Sequence, residues 1–153
     1  MLYNTILVPL DGSRRAEAIL PHVEKLAQEH GAKVVLMQVV EPGPLLYGAA
    51  EGYVEIVLSE ARHRMEKAKS YLGEHQDRFA ALGVTAEIRL EDGPIVEAII
   101  RVAEAVKADL IAIASHGRTG LARAFYGSVA AGVLQRADRP LLIIRAEDER
   151  PAA

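Results

Sequence analysis

Five short strand-like runs, separated by helical segments, constrain the fold of this chain more than any other feature. They are Thr5–Leu10, Lys33–Val40, Thr85–Leu90, Leu110–Ala114 and Leu141–Ile144. A run such as ILVPL at 6–10 has no polar face to give to water. It fits a strand buried on both sides, the kind found in parallel sheets. Parallel strands must be joined by crossovers, and the intervening segments have the apolar spacing of helices. Ile19, Leu20, Val23, Leu26 and Ala27 recur at helical intervals after Ser13, a candidate cap. Pro21 is predicted to kink that helix and Gly31 to end it. A long helix of mixed charge is predicted over about 53–82 and read as a solvated face. A further helix follows Pro94, with Glu97, Arg101, Glu104 and Lys107 as its polar stripe, and the last covers about 128–137. The alternation runs on without a linker-like change in composition. One α/β domain over 1–146 is therefore expected, an open three-layer parallel sheet of five strands with helices on both faces, then a polar tail at 147–153.

Composition removes several functions. The 153 residues carry a net charge of −3, no Trp and two Phe, which disfavours a phosphate-backbone interface or a platform for stacking bases. The absence of cysteine excludes disulfides, thiolate metal sites and a Cys nucleophile. His22, His30, His63 and His75 lack the spacing of metal ligands, so no metal site is assigned. No apolar run reaches membrane-spanning length, and MLYNTILVPLDGS has no basic region or cleavage site; a cytoplasmic protein is expected. Residues 41–52, with Pro42, Gly43, Pro44, Gly48 and Gly52, show no period and are expected as a mobile loop.

The stretch ASHGRTGLARAFYGSVA, Ala114 to Ala130, joins a strand to a helix and holds three glycines and two arginines. In an open α/β sheet, ligands lie beyond the carboxyl ends of the strands. Glycines let backbone N–H groups approach an anion, and a helix beginning at Gly127 and Ser128 offers free amides and a favourable dipole. Arg118 and Arg123 add charge, and phosphate is the ligand this chemistry fits best. The same glycines also suit a tight strand-to-helix turn, and Ser128 an ordinary cap; the loop by itself leaves both readings standing. The nucleotide signatures G-x-x-x-x-G-K-[ST] and G-x-G-x-x-G are absent. Arg14 and Arg15, near a helix start, are read as solvated surface, with a lean toward a bound anion as the alternative.

Four segments in order, NTILVPLDGS, GPIVEAI, ASHGRTGLARAFYGSVA and DRPLLIIR, resemble the universal stress protein family from about residue 3 to residue 145. The resemblance implies a sheet in the order 3-2-1-4-5 and a homodimer. Many members bind ATP through G-x2-G-x9-G-[ST]. Gly117, Gly127 and Ser128 keep that spacing, while Ala114 replaces the first glycine. A methyl group there is harmless if φ is negative and obstructive otherwise. By the same resemblance, Asp11, after Pro9 and Leu10, would hold the ribose hydroxyls, although Asp-Gly-Ser is also an ordinary turn. The Val39 backbone would read the adenine edge, beside Ile113 and Ala114. Gly117, Gly127, Ser128 and Val129 would hold the phosphates, with His116 and Arg118 in the same loop. His116 has no partner at catalytic spacing, so no catalytic residue is assigned.

An ATP-binding regulatory homodimer in stress response, with Mg or Mn as a possible companion of ATP, is the expectation. An interaction module without nucleotide and a slow ATP hydrolase stand as alternatives. Efficient hydrolysis would need a base and metal ligands that the loop does not provide. In the implied strand order the run PLLII at 140–144 forms an apolar edge, and pairing of Leu141–Ile144 with a second copy would cover it.

Overall fold

The computed structural model describes residues 2–40, 50–117 and 127–147, with backbone alone at 116, 117 and 147. Its strands are β1 (Thr5–Leu10), β2 (Lys33–Val39), β3 (Ala86–Glu91), β4 (Leu110–Gly117) and β5 (Leu141–Glu147). All neighbours are parallel, in the order β3-β2-β1-β4-β5. The helices are α1 (Leu20–His30), α2 (Glu51–Ala81), α3 (Ile95–Ala105) and α4 (Ser128–Arg136). Among the described residues, no helix is long and apolar enough to cross a membrane.

Strand alternation divides the core between the two faces of the sheet. On one face Ile6, Val8, Val34 and Leu36 pack with Leu20 and Val23 of α1 and with Leu72 and Phe79 of α2. On the other, Leu7, Val35, Met37 and Ile111 pack with Ala98, Ile99 and Val102 of α3 and Val133 of α4. Three-layer burial follows directly from apolar residues on both strand faces.

Several boundaries differ from those read in the sequence. A 3-10 turn, Ala16–Ile19, precedes α1. Because α1 starts at Leu20, Pro21 sits in its first turn, where a missing N–H costs nothing and no kink is required. Ser13 serves this 3-10 turn rather than α1: its Oγ accepts the Ala16 N–H at 3.2 Å. Gly31, with φ of 63°, ends α1 as expected. α2 begins at Glu51 and takes in Gly52, which the sequence assigned to the loop; residues 41–49 lie outside the described residues. α3 stops at Ala105, so Lys107 leaves the polar stripe and adopts φ of 53° beyond the helix end.

The largest difference is at β4 and β5. β4 continues to Gly117 and β5 to Glu147, with Ser115, His116 and Gly117 paired to Arg145, Ala146 and Glu147. Parallel pairing uses backbone groups, so the ladder runs on through SHG and RAE after the apolar run has ended. The supposed loop start and the first tail residue are strand.

Candidate functional site

β1 is where the sheet reverses direction. Its ladder with β2 spans six residue pairs, from Thr5 with Lys33 to Leu10 with Gln38. Its ladder with β4 consists of Ile6 with Leu110 and Leu7 with Ile111. Beyond Leu7 the two central strands part. A cavity of about 140 Å³ opens there, at the carboxyl ends of β1 and β4. This is the position at which open α/β sheets hold ligands, because the chain leaves neighbouring strands toward opposite faces.

One wall is apolar. Met37 and Val39 of β2, Ile95 and Ile99 of α3 and Ile113 of β4 line it. β2 runs one residue past its last pairing with β1, which leaves Val39 at the cavity edge. The opposite wall is the turn after β1. Gly12 takes φ of 86°, a conformation L side chains rarely adopt, and the Asp11 carboxylate closes the turn. Asp11 Oδ1 accepts the Ser13 N–H at 2.9 Å and the Ser13 hydroxyl at 2.6 Å. The ordinary Asx-turn role thus occupies one oxygen. Oδ2 makes no hydrogen bond among the described residues, and Asp11 lines the cavity.

The third side is the start of α4. Gly127 is its N-cap, with φ of −45° and ψ of 157°, and its carbonyl accepts the Ala131 N–H at 2.9 Å. The amides of Ser128, Val129 and Ala130 therefore precede the first intrahelical bond and border the cavity as donors. α4 is held close to α3: a Cβ added at Gly132 would lie 2.7 Å from Val96 Cγ2. That approach sets the separation between the α4 start and the Ile95–Ile99 wall.

Behind the turn, the 3-10 segment is fastened to α2. Glu17 Oε1 lies 3.4 Å from His75 Nε2, and Tyr71 stacks edge-on against His75 with ring centres 4.9 Å apart. Burial first, then the negative charge of Glu17, push the Tyr71 hydroxyl well above its usual value. Ser13 and Arg15 of the preceding turn and Ala16, the first residue of the 3-10 segment, line the cavity.

Nine residues singled out in the sequence border this one cavity: Pro9, Leu10, Asp11, Val39, Ile113, Ala114, Gly127, Ser128 and Val129. His116 and Gly117 form the last β4 residues, described by backbone alone, and Arg118 lies outside the described residues. Ala114 pairs with Ile144 in the strand, and Lys107 is the one non-glycine with positive φ among the described residues. The methyl group at Ala114 therefore sits on ordinary strand backbone. The sequence reading missed Met37, Ile95, Ile99 and Ser115, while Arg15 is exposed as expected and also lines the cavity. Met37 precedes Val39 by two on one strand face and Ile95 precedes Ile99 by one helical turn, so their periodicity carried a signal. Among the described residues, no three His, Asp or Glu side chains converge as metal ligands.

Comparison with known proteins adds to this geometry. Residues 2–145 match the model of the universal stress protein family. A universal stress protein of Thermus aquaticus is 32% identical over 145 residues, covering 94% of this chain and 100% of that one. The solved structure of the Methanocaldococcus jannaschii protein MJ0577 superposes with a TM-score of 0.78 at 25% identity, covering 97% of this chain and 100% of that chain. A universal stress protein solved in complex with cAMP superposes with a TM-score of 0.61 at 26% identity, covering 95% and 98%.

Proposed function

The chain belongs to the universal stress protein family, and on that premise we propose that it is an adenine-nucleotide-binding regulatory homodimer acting in stress response. The observation that carries this reading is the cavity at the β1–β4 parting: an apolar slot on one side, a carboxylate oxygen on another, and helix-start amides on the third. A purine fits the slot between Val39, Ile99 and Ile113, where apolar burial favours it and nearby backbone groups can read its edge. Asp11 Oδ2 accepts ribose hydroxyls. The amides of Ser128 and Val129 receive phosphate. The structural relative in complex with cAMP supports an adenine nucleotide as the ligand class. ATP is the member of that class favoured by the Gly117-x9-Gly127-Ser128 spacing. A divalent Mg or Mn ion would arrive on the ATP phosphates, whose charge it offsets.

Homodimerisation is proposed through β5, an edge strand whose Leu141, Leu142, Ile143 and Ile144 are only half-buried in the single chain. Pairing the edge with a second copy about a two-fold axis covers both. Ile143→Lys is expected to yield monomers in sedimentation; a fully dimeric variant would refute the interface.

The test of ligand binding is thermal unfolding with increasing ATP or GTP. At about 100 times Kd, ATP should add ~2.7 kcal/mol, a rise of roughly 5–10 °C for a chain of this size, and GTP less. An unchanged melting temperature up to millimolar ATP overturns the reading.

A further inference from the structure

The turn that carries Asp11 is tied to α2, on the face of the sheet opposite α3, by a continuous series of contacts. Asp11 Oδ1 accepts both the Ser13 N–H at 2.9 Å and the Ser13 hydroxyl at 2.6 Å. The Ser13 oxygen in turn accepts the Ala16 N–H at 3.2 Å, so its one proton is committed to Asp11. Bonds in such a row polarise one another. Glu17 is the next residue of the 3-10 turn, and its Oε1 lies 3.4 Å from Nε2 of His75, whose side chain is 12% exposed. Tyr71, one turn before His75 on α2, stacks edge-on against that ring. After burial and Glu17, the charge of Asp11 also opposes ionisation of Tyr71, so α2 is within electrostatic reach of the cavity carboxylate. Glu17, Tyr71 and His75 do not themselves line the cavity.

We infer that Ser13 and Glu17 are positioning residues for a bound ribose; the inference rests on the proposed adenine-nucleotide reading. The Ser13 hydroxyl fixes the Asp11 carboxylate by one oxygen and leaves the other for ribose hydroxyls. Glu17, fastened to α2, holds the Ala16 amide that orients Ser13. An aspartate carboxylate turns easily about its last bond, since that torsion is broad. Two donors on one oxygen select a single orientation, so less freedom is lost when a ligand arrives. The amide at the start of the 3-10 turn needs similar support, because a run of four residues, Ala16–Ile19, has poor hydrogen-bond geometry of its own. Ile19, fully buried, anchors the end of that run, and Glu17 anchors its beginning. Helix α2 thereby acts on the sugar contact from outside the cavity.

The test is calorimetric titration with ATP and with 2′,3′-dideoxy-ATP, which lacks the hydroxyls that Asp11 would hold. Thermal unfolding without ligand checks that each variant folds. Ser13→Ala should weaken ATP binding about five- to tenfold and Glu17→Ala about threefold, while dideoxy-ATP changes by less than about twofold in both. Ser13→Thr keeps a hydroxyl and should hold ATP affinity within about twofold of the unaltered chain. In an Asp11→Ala background the Ser13→Ala change should have no further effect on ATP, because it acts through Asp11. Parallel losses of the two ligands overturn the inference, since the residues would then shape the cavity as a whole. Unchanged ATP affinity in either single variant overturns it too, as does a Ser13→Ala loss that persists without Asp11. Each of those results leaves the proposed function standing. If the unaltered chain binds neither ligand, the proposed function fails and this inference with it.

Discussion

The seam between β1 and β4 is tied at one end and open at the other. At the amino end, Asp109 Oδ2 accepts the N–H groups of Asn4 and Thr5 at 2.7 and 2.8 Å. The Asp109 N–H in turn donates to the Thr5 carbonyl at 2.8 Å, and the two ladder pairs follow at once. At the carboxyl end no pairing joins the strands, and Asp11, chemically the same side chain, keeps Oδ2 unbonded. One aspartate closes the seam because two backbone donors meet it. The other is committed through a single oxygen to its own turn and lines the cavity. The difference shows that a carboxylate's role here is set by which amides the topology brings to it, not by residue type.

Asp109→Ala tests the closed end and carries the largest expected effect. Two charge-assisted bonds to backbone N–H groups are lost, so denaturant unfolding should show a loss of about 2–4 kcal/mol. Asp109→Asn keeps an acceptor and should lose much less. Equal, small losses for both would mean that the ladder alone holds the seam.

Next in size is Gly132→Ala, which acts on the open end through the α3–α4 contact. The added Cβ meets Val96 at 2.7 Å, and overpacking of this kind costs about 1–3 kcal/mol. Nucleotide affinity should fall with it, because Ile95 and Val129 move apart. Val96→Ala in the same chain should restore most of both, a double-mutant cycle that isolates the contact. Gly73 in α2 provides the contrast: a Cβ there meets nothing within 4 Å. Gly73→Ala should therefore stabilise the fold by about 0.5–1 kcal/mol, the opposite sign for the same change.

Ala114→Gly is smaller still. On strand backbone the glycine should cost about 0.5–1 kcal/mol of stability through chain entropy, with nucleotide affinity equal or higher. Weaker binding would show that the methyl group contributes to the site. The smallest effect concerns Tyr71, behind the cavity turn. Its ionised form is disfavoured in the fold, so the native state releases that proton at higher pH than the unfolded chain does. Stability is then full below pH 10.0, the ordinary tyrosine value, and declines as pH rises above it. Tyr71→Phe should flatten that alkaline decline in pH-dependent unfolding; an unchanged profile would place its cause elsewhere.

By itself the sequence determined the five strands, the helices between them, Asp11 in its Asp-Gly-Ser turn, and Gly127–Ser128 at a helix start. These are written in local pattern: periodicity, turn residues and caps act within a few positions, and a single chain displays them. The 3-10 turn before Leu20 was not legible, since Pro21 suits a first helical turn and a kink alike. The extension of β4 and β5 was not legible either, because backbone pairing between distant segments leaves no apolar trace in SHG or RAE. Only the tertiary structure decided that β1 and β4 part after Leu7, and that Met37, Ile95, Ile99 and Ser115 join Asp11 around one cavity. A cavity is the space left by elements far apart in sequence, and crossover direction and helix approach, set by all of them together, determine which side chains face it.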